Sequence, residues 1–170
     1  PKQDKIIEIG AVRVENGQET GRFHTMLNPH RELEERITEL TGIAWDMLKD
    51  APDIGDILEE FLAFCGELPL LGHRIIFDYS FVKRAAVNQG LSFEKNGIDT
   101  LTICRRFMPA EESKRLGAAC AFYGLTQESA HRALGDAFDA HRLYQKLLEK
   151  HGAKAPETFA AKPLIYKVKR

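Results

Sequence analysis

Apolar residues at 7, 9, 11 or 12 and 14 give the stretch 6–15 a period close to two, which predicts a strand with one buried face. Asn16-Gly17-Gln18 reads as a turn, and Phe23, Thr25 and Leu27 share one face of a second strand over 20–28, so the pair predicts an antiparallel hairpin ended by Pro29. Ile37, Leu40 and Ile43-Ala44 are spaced for short helices broken at Thr41-Gly42. Asp53 then suits an N-cap, and Ile54, Ile57-Leu58, Phe61-Leu62 and Cys65 recur at helical steps through 54–67. The apolar run 68–72 predicts a short buried strand closed by Gly72. Helical periodicity returns over 77–89, a brief strand over 98–100 is expected, and short helices follow over 101–107 and 115–123. The best-patterned helix spans about 133–150, with Leu134, Ala137-Phe138, His141, Tyr144 and Leu147-Leu148 at steps of three and four.

A hairpin followed by alternating helices and short strands implies an α/β fold with mixed strand directions. Its 170 residues, 44% hydrophobic and 29% charged, suit one domain with a real core. No run approaches the roughly 18 apolar residues of a spanning helix, and Pro1-Lys2-Gln3-Asp4 does not open a signal peptide, so no membrane role and a cytoplasmic location are expected. Cys65, Cys104 and Cys120 form no close pair and are expected as free thiols. A net charge of -1 means that nucleic-acid binding would rest on local patches or metal ions.

Candidate chemistry gathers at two acids in apolar company, Asp78 after His73-Arg74-Ile75-Ile76-Phe77 and Asp136 after His131-Arg132-Ala133-Leu134-Gly135. Ligands collect at the carboxyl ends of strands in such sheets, and Asp78 lies just past one. Both acids also suit helix starts, where the dipole favours them with no further role. Five helical residues turn through about 500°, so His131 and Asp136 converge only if His131 precedes the helix in a loop. His24, His30, His141 and His151 are read as ordinary strand, turn and helix residues.

Five segments in order, Ile6-Ile7-Glu8-Ile9-Gly10-Ala11-Val12, Leu40-Thr41-Gly42-Ile43, His73 to Asp78, Asp99-Thr100-Leu101 and His131 to Ala137, strongly resemble the DnaQ-like 3'-5' exonucleases, which include the epsilon proofreading subunit of bacterial DNA polymerase III. The His-x4-Asp spacing resembles the DEDDh subgroup. The resemblance covers roughly residues 1–150 and implies a ribonuclease H-like mixed sheet flanked by helices. It also implies two-metal hydrolysis, with Mg²⁺ or Mn²⁺ held by Asp136 and Asp78, His131 as general base and a nucleoside monophosphate as product. The implied substrate is a single-stranded DNA 3' end, with DNA polymerase or replication proteins as partners in proofreading or repair. Arg74 stands where the family usually has asparagine, and Arg74, His73 and Phe77 are candidate substrate contacts. Phe77, Tyr79 and Phe81 are candidates either to stack terminal bases or to fill the core.

The family's first motif, Asp-x-Glu on a central strand, has no counterpart in these 170 residues. The expectation is therefore an N-terminally truncated exonuclease domain over 1–152 that lacks its first, central strand, with impaired metal binding and activity in the chain as it stands. Residues 153–170 are expected to form a basic extension or linker bearing Lys162, Lys167, Lys169 and Arg170. Two other readings stand beside this one: a non-catalytic interaction module of degenerate exonuclease type, and a 3'-5' exoribonuclease.

Overall fold

A computed structural model of the chain describes residues 6–168; Lys169 and Arg170 of the basic tail lie outside them. The elements run β1 (Glu8–Glu15), β2 (Gln18–Met26), α1 (Glu35–Thr41), α2 (Trp45–Leu48), α3 (Ile54–Cys65), β3 (Leu70–Gly72), α4 (Ile75–Asn88), β4 (Asn96–Asp99), α5 (Thr100–Phe107), α6 (Leu116–Phe122), α7 (Ala133–His151), a 3₁₀ turn (Pro156–Phe159) and β5 (Lys162–Pro163). The result is an α/β fold with helices flanking mixed strands.

The hairpin forms as the alternation predicts: β1 and β2 pair antiparallel from Glu8↔Met26 to Glu15↔Gln18 around the turn at Asn16 and Gly17. Its two faces are divided between helices. Ile9 joins Phe61 of α3 and Tyr79 and Val82 of α4 in one buried cluster, with Ala11 and Phe23 packed against it. The opposite face, which carries Gly10, meets α7, where a Cβ on Gly10 would stand 2.3 Å from the backbone nitrogen of Leu134. Only glycine admits the helix start so close to the strand.

β3 and β4 pair in parallel, Gly72 opposite Asp99, and β5 adds antiparallel to β4. Among the described residues β1 pairs only with β2 and β3 only with β4, which leaves the hairpin and the β3–β4–β5 sheet separate. Helix α7 packs on both β1 and β3 and bridges them. Its inner stripe, Leu143 and Leu147, is buried with Ile103 and Cys104 of α5, Ala119 and Cys120 of α6 and Phe159 in a second core. Fully burying each leucine contributes about 2 kcal/mol.

Most elements start or end within about two residues of the periodicity, and two differences bear on the site and the tail. Helix α4 begins at Ile75 rather than 77, because Arg74 takes a left-handed conformation (φ 65°) and serves as its N-cap, which turns Ile75 into the core. The tail after 152 runs back onto the domain. Leu164 donates its N–H to the Lys95 carbonyl at 2.9 Å, and the Tyr166 hydroxyl accepts from Arg84 at 2.6 Å. Cys65, Cys104 and Cys120 are free thiols, and no helix among the described residues is long and apolar enough to cross a membrane.

Candidate active site

Asp78 lies in the first turn of α4, one turn beyond Arg74, with its side chain exposed. The surrounding protein still takes part of its hydration, and Asp136 and Asp99 add negative charge. Desolvation first and these neighbours second push its carboxyl up to about 6. Asp136, in the first turn of α7, is also raised, chiefly by burial. The His131 amide and the His131 side chain oppose that rise, while Asp139 and Glu8 add to it.

His131 stands outside the helix. It takes a left-handed backbone (φ 65°) ahead of α7, and its amide donates to Asp136 Oδ1 at 3.1 Å. This is the loop geometry that lets a histidine and an acid five positions on meet at one place. Gly135 permits the tight return, since a Cβ there would lie 2.5 Å from the Ser129 carbonyl oxygen.

The other arm repeats the device. The Arg74 amide donates to Asp99 Oδ1 at 2.9 Å, and the same oxygen caps α5 by accepting from the Leu101 amide. Arg74 is exposed, with its guanidinium 5.4 Å from the Phe77 ring centroid, and Phe77 meets Phe81 edge to face at 5.0 Å. Arg74 also acts electrostatically on Asp78, lowering its proton affinity. His73 turns inward instead: its Nδ1 pairs with the Thr100 hydroxyl at 2.8 Å and its Nε2 donates to the Lys114 carbonyl at 2.6 Å. Both ring nitrogens are thereby engaged inside the fold. Tyr79 is likewise a core residue, its hydroxyl donating to the Phe93 carbonyl at 2.9 Å.

Sequence reasoning passed over Glu8, Arg132 and Asp139. The Glu8 side chain, only 5% exposed, accepts from Arg132 Nη2 at 2.8 Å, from the Ala133 amide at 2.8 Å and pairs with His24 Nε2 at 2.6 Å. Burial alone raises its pKa, but these donors outweigh it and hold the carboxyl down at about 2. Asp139, also buried, accepts from Gln127 Nε2 at 3.1 Å. The available signal was an acid set between Ile7 and Ile9 on a strand, where an unpaired carboxylate is costly.

Asp78 and Asp136 are hard oxygen donors, both with a proton affinity raised first by burial. That suits Mg²⁺ or Mn²⁺; Mg²⁺ commonly binds through one or two carboxylates with water and substrate phosphate filling the remaining positions. Among the described residues no group of three or more His, Cys, Asp or Glu is arranged to hold a metal ion.

Residues 1–144 match the family model described as Exonuclease, RNase T. The DNA polymerase III PolC-type of Halalkalibacterium halodurans is 41% identical over 135 residues, covering 79% of this chain and 9% of the polymerase. The chain thus spans about a tenth of the length of the curated relatives it matches. The nuclease domain of 3'hExo, a DEDDh family member bound to rAMP, shares the fold with TM-score 0.75 and 17% identity, over 94% of this chain and 86% of that one. Exonuclease X in complex with 5' overhanging duplex DNA aligns with TM-score 0.67 and 21% identity, over 92% and 90% of the two chains.

Proposed function

The chain belongs to the DnaQ-like exonuclease family, and from that premise we propose that it performs metal-dependent 3'-5' hydrolysis of single-stranded DNA, in proofreading or repair beside a DNA polymerase. The observation that carries this reading is the loop geometry that ties His131 by its amide to Asp136 Oδ1 at 3.1 Å, with Asp136 and Asp78 each in the first turn of its helix. In this reading Asp78 and Asp136 hold two divalent ions, Mg²⁺ or Mn²⁺. When bound, such ions lower the pKa of the attacking water and neutralise charge on the scissile phosphate and leaving oxygen. His131, exposed on its loop, accepts the proton of the attacking water as general base. Arg74 meets a phosphate with its guanidinium, and Phe77 presents its ring beside it. His73 positions the start of α5 through Thr100 rather than touching substrate.

DNA is favoured over RNA because the 41%-identical relative is a DNA polymerase III. The rAMP-bound neighbour keeps the exoribonuclease reading as the second one. The test is release of mononucleotides from 3'-labelled single-stranded DNA and RNA by the full-length protein with Mn²⁺, beside chelator and Asp136→Ala controls. Faster release from DNA supports the first reading, faster release from RNA the second. No Mn²⁺-dependent release from either contradicts both and leaves binding without cleavage.

A further inference from the structure

We propose that Glu8 is a positioning residue for the proposed exonuclease reaction, fixing the loop that carries His131 from a strand 124 positions away in the chain. The loop is held at both ends, and between them the Ser129 carbonyl accepts from the Arg132 amide and the His131 amide donates to Asp136. At its near end the Arg142 guanidinium donates to the Thr126 carbonyl at 3.0 Å and Gln127 donates to buried Asp139 at 3.1 Å. At its far end Arg132 and the Ala133 amide close on Glu8. Residues 128–131 in between are exposed.

The far tether is the one next to His131, and it joins hydrogen bonds to Glu8 with the close seat of Ala133 and Leu134 on Gly10. A cavity of about 380 Å³ opens beside it, lined by Glu8, His24, Ser129, Arg132 and Phe138, so no side chains press the loop down from that side. Glu8 accepts at both carboxylate oxygens: Oε1 takes the Ala133 amide, and Oε2 takes Arg132 Nη2 and pairs with His24. Three groups thus converge on one buried acid, two of them from the residues that directly follow His131. The backbone there has little choice of place, because α7 also rests on Gly10, two positions from Glu8 on the same strand face. The left-handed turn at His131, which a non-glycine residue adopts only when its surroundings impose it, is thereby clamped between Asp136 and Glu8. A misplacement of about 1 Å at a reacting group can cost as much as about 100-fold in rate, which is the leverage such a clamp exerts.

This inference rests on the proposed general-base role of His131, and its test separates the two. Amide hydrogen exchange is measured on the full-length protein, as wild type, Glu8→Gln and Arg132→Met, together with kcat and KM on 3'-labelled single-stranded DNA. Glu8→Gln keeps the shape of the side chain and removes its charge. Arg132→Met removes the guanidinium from the loop side, so the claim stays testable if one variant folds poorly. The expected result is exchange at residues 129–133 faster by about tenfold in both variants with α3 and α4 unchanged, and kcat lower by about 10- to 100-fold with KM within about twofold. Unchanged exchange at 129–133, or a rise spread over the whole domain, overturns the positioning role. Faster loop exchange in a protein with no nuclease activity even as wild type supports the clamp while removing the exonuclease reading.

Discussion

The backbone amide of His131 donates to Asp136 Oδ1 at 3.1 Å, so the proposed general base and a proposed metal ligand are parts of one hydrogen-bonded turn. Asp136→Ala breaks that turn as well as removing the charge, whereas Asp136→Asn retains an acceptor. Asp136→Ala is expected to lose about 1 kcal/mol relative to Asp136→Asn, read as a lower denaturant midpoint with unchanged slope. Equal midpoints for the two variants contradict the structural half of the role.

Asp78 makes the opposite bargain between stability and chemistry. Its folded-state pKa of about 6 exceeds the ordinary 3.8, so the folded protein binds the proton more tightly than the unfolded chain does. Stability at this residue is therefore highest below pH 3.8, declines as pH rises towards 6, and stays reduced above it. Asp78→Asn is expected to raise the melting temperature of the metal-free protein at pH 7 to 8 by on the order of 2–4 °C while weakening Mn²⁺ binding. A melting temperature lowered by the substitution at pH 8 counts against this electrostatic account.

Glu8 supplies the converse pH dependence. Its folded-state pKa is held at about 2 against an ordinary 4.5, so its contribution is fully present above pH 4.5 and is lost as pH falls towards 2. Wild type is expected to lose more stability than Glu8→Gln between pH 4.5 and 2.5. Parallel acid-unfolding curves rule this out.

Arg74→Gly separates backbone from side chain. Glycine occupies φ 65° without the roughly 1–2 kcal/mol steric cost of a left-handed side chain, though it adds unfolded-state entropy, so stability is expected to stay within about 1 kcal/mol of wild type. Loss of the guanidinium is expected to raise KM for single-stranded DNA several-fold. An unchanged KM removes Arg74 from substrate binding.

Helices α3 and α7 were legible because their apolar residues recur at steps of three and four over many positions, and β1 and β2 because alternation fixes which side chains face a helix. The site itself was less legible. The positions of Asp78, His131 and Asp136 came from a resemblance of ordered motifs, since a carboxylate near a helix start looks the same whether it caps, solvates or binds. The supporting charges escaped notice because their meaning lies in distant partners: Glu8 becomes a clamp only through Arg132 and Ala133, and Asp99 a cap only through Leu101 and Arg74. Strand β5 escaped for another reason. Lys162–Pro163 is too short for a period, and proline fits there because β5 pairs with β4 alone among the described residues.

The claim on which the rest depends is that Asp78 and Asp136 share a divalent-cation site. It is tested most directly by calorimetric titration of Mn²⁺ into the full-length protein, as wild type, Asp78→Asn and Asp136→Asn. The account predicts binding to wild type that each substitution weakens by at least about tenfold, with proton release on binding near pH 6 as the shared site deprotonates. Mn²⁺ binding of wild-type strength in both variants contradicts it.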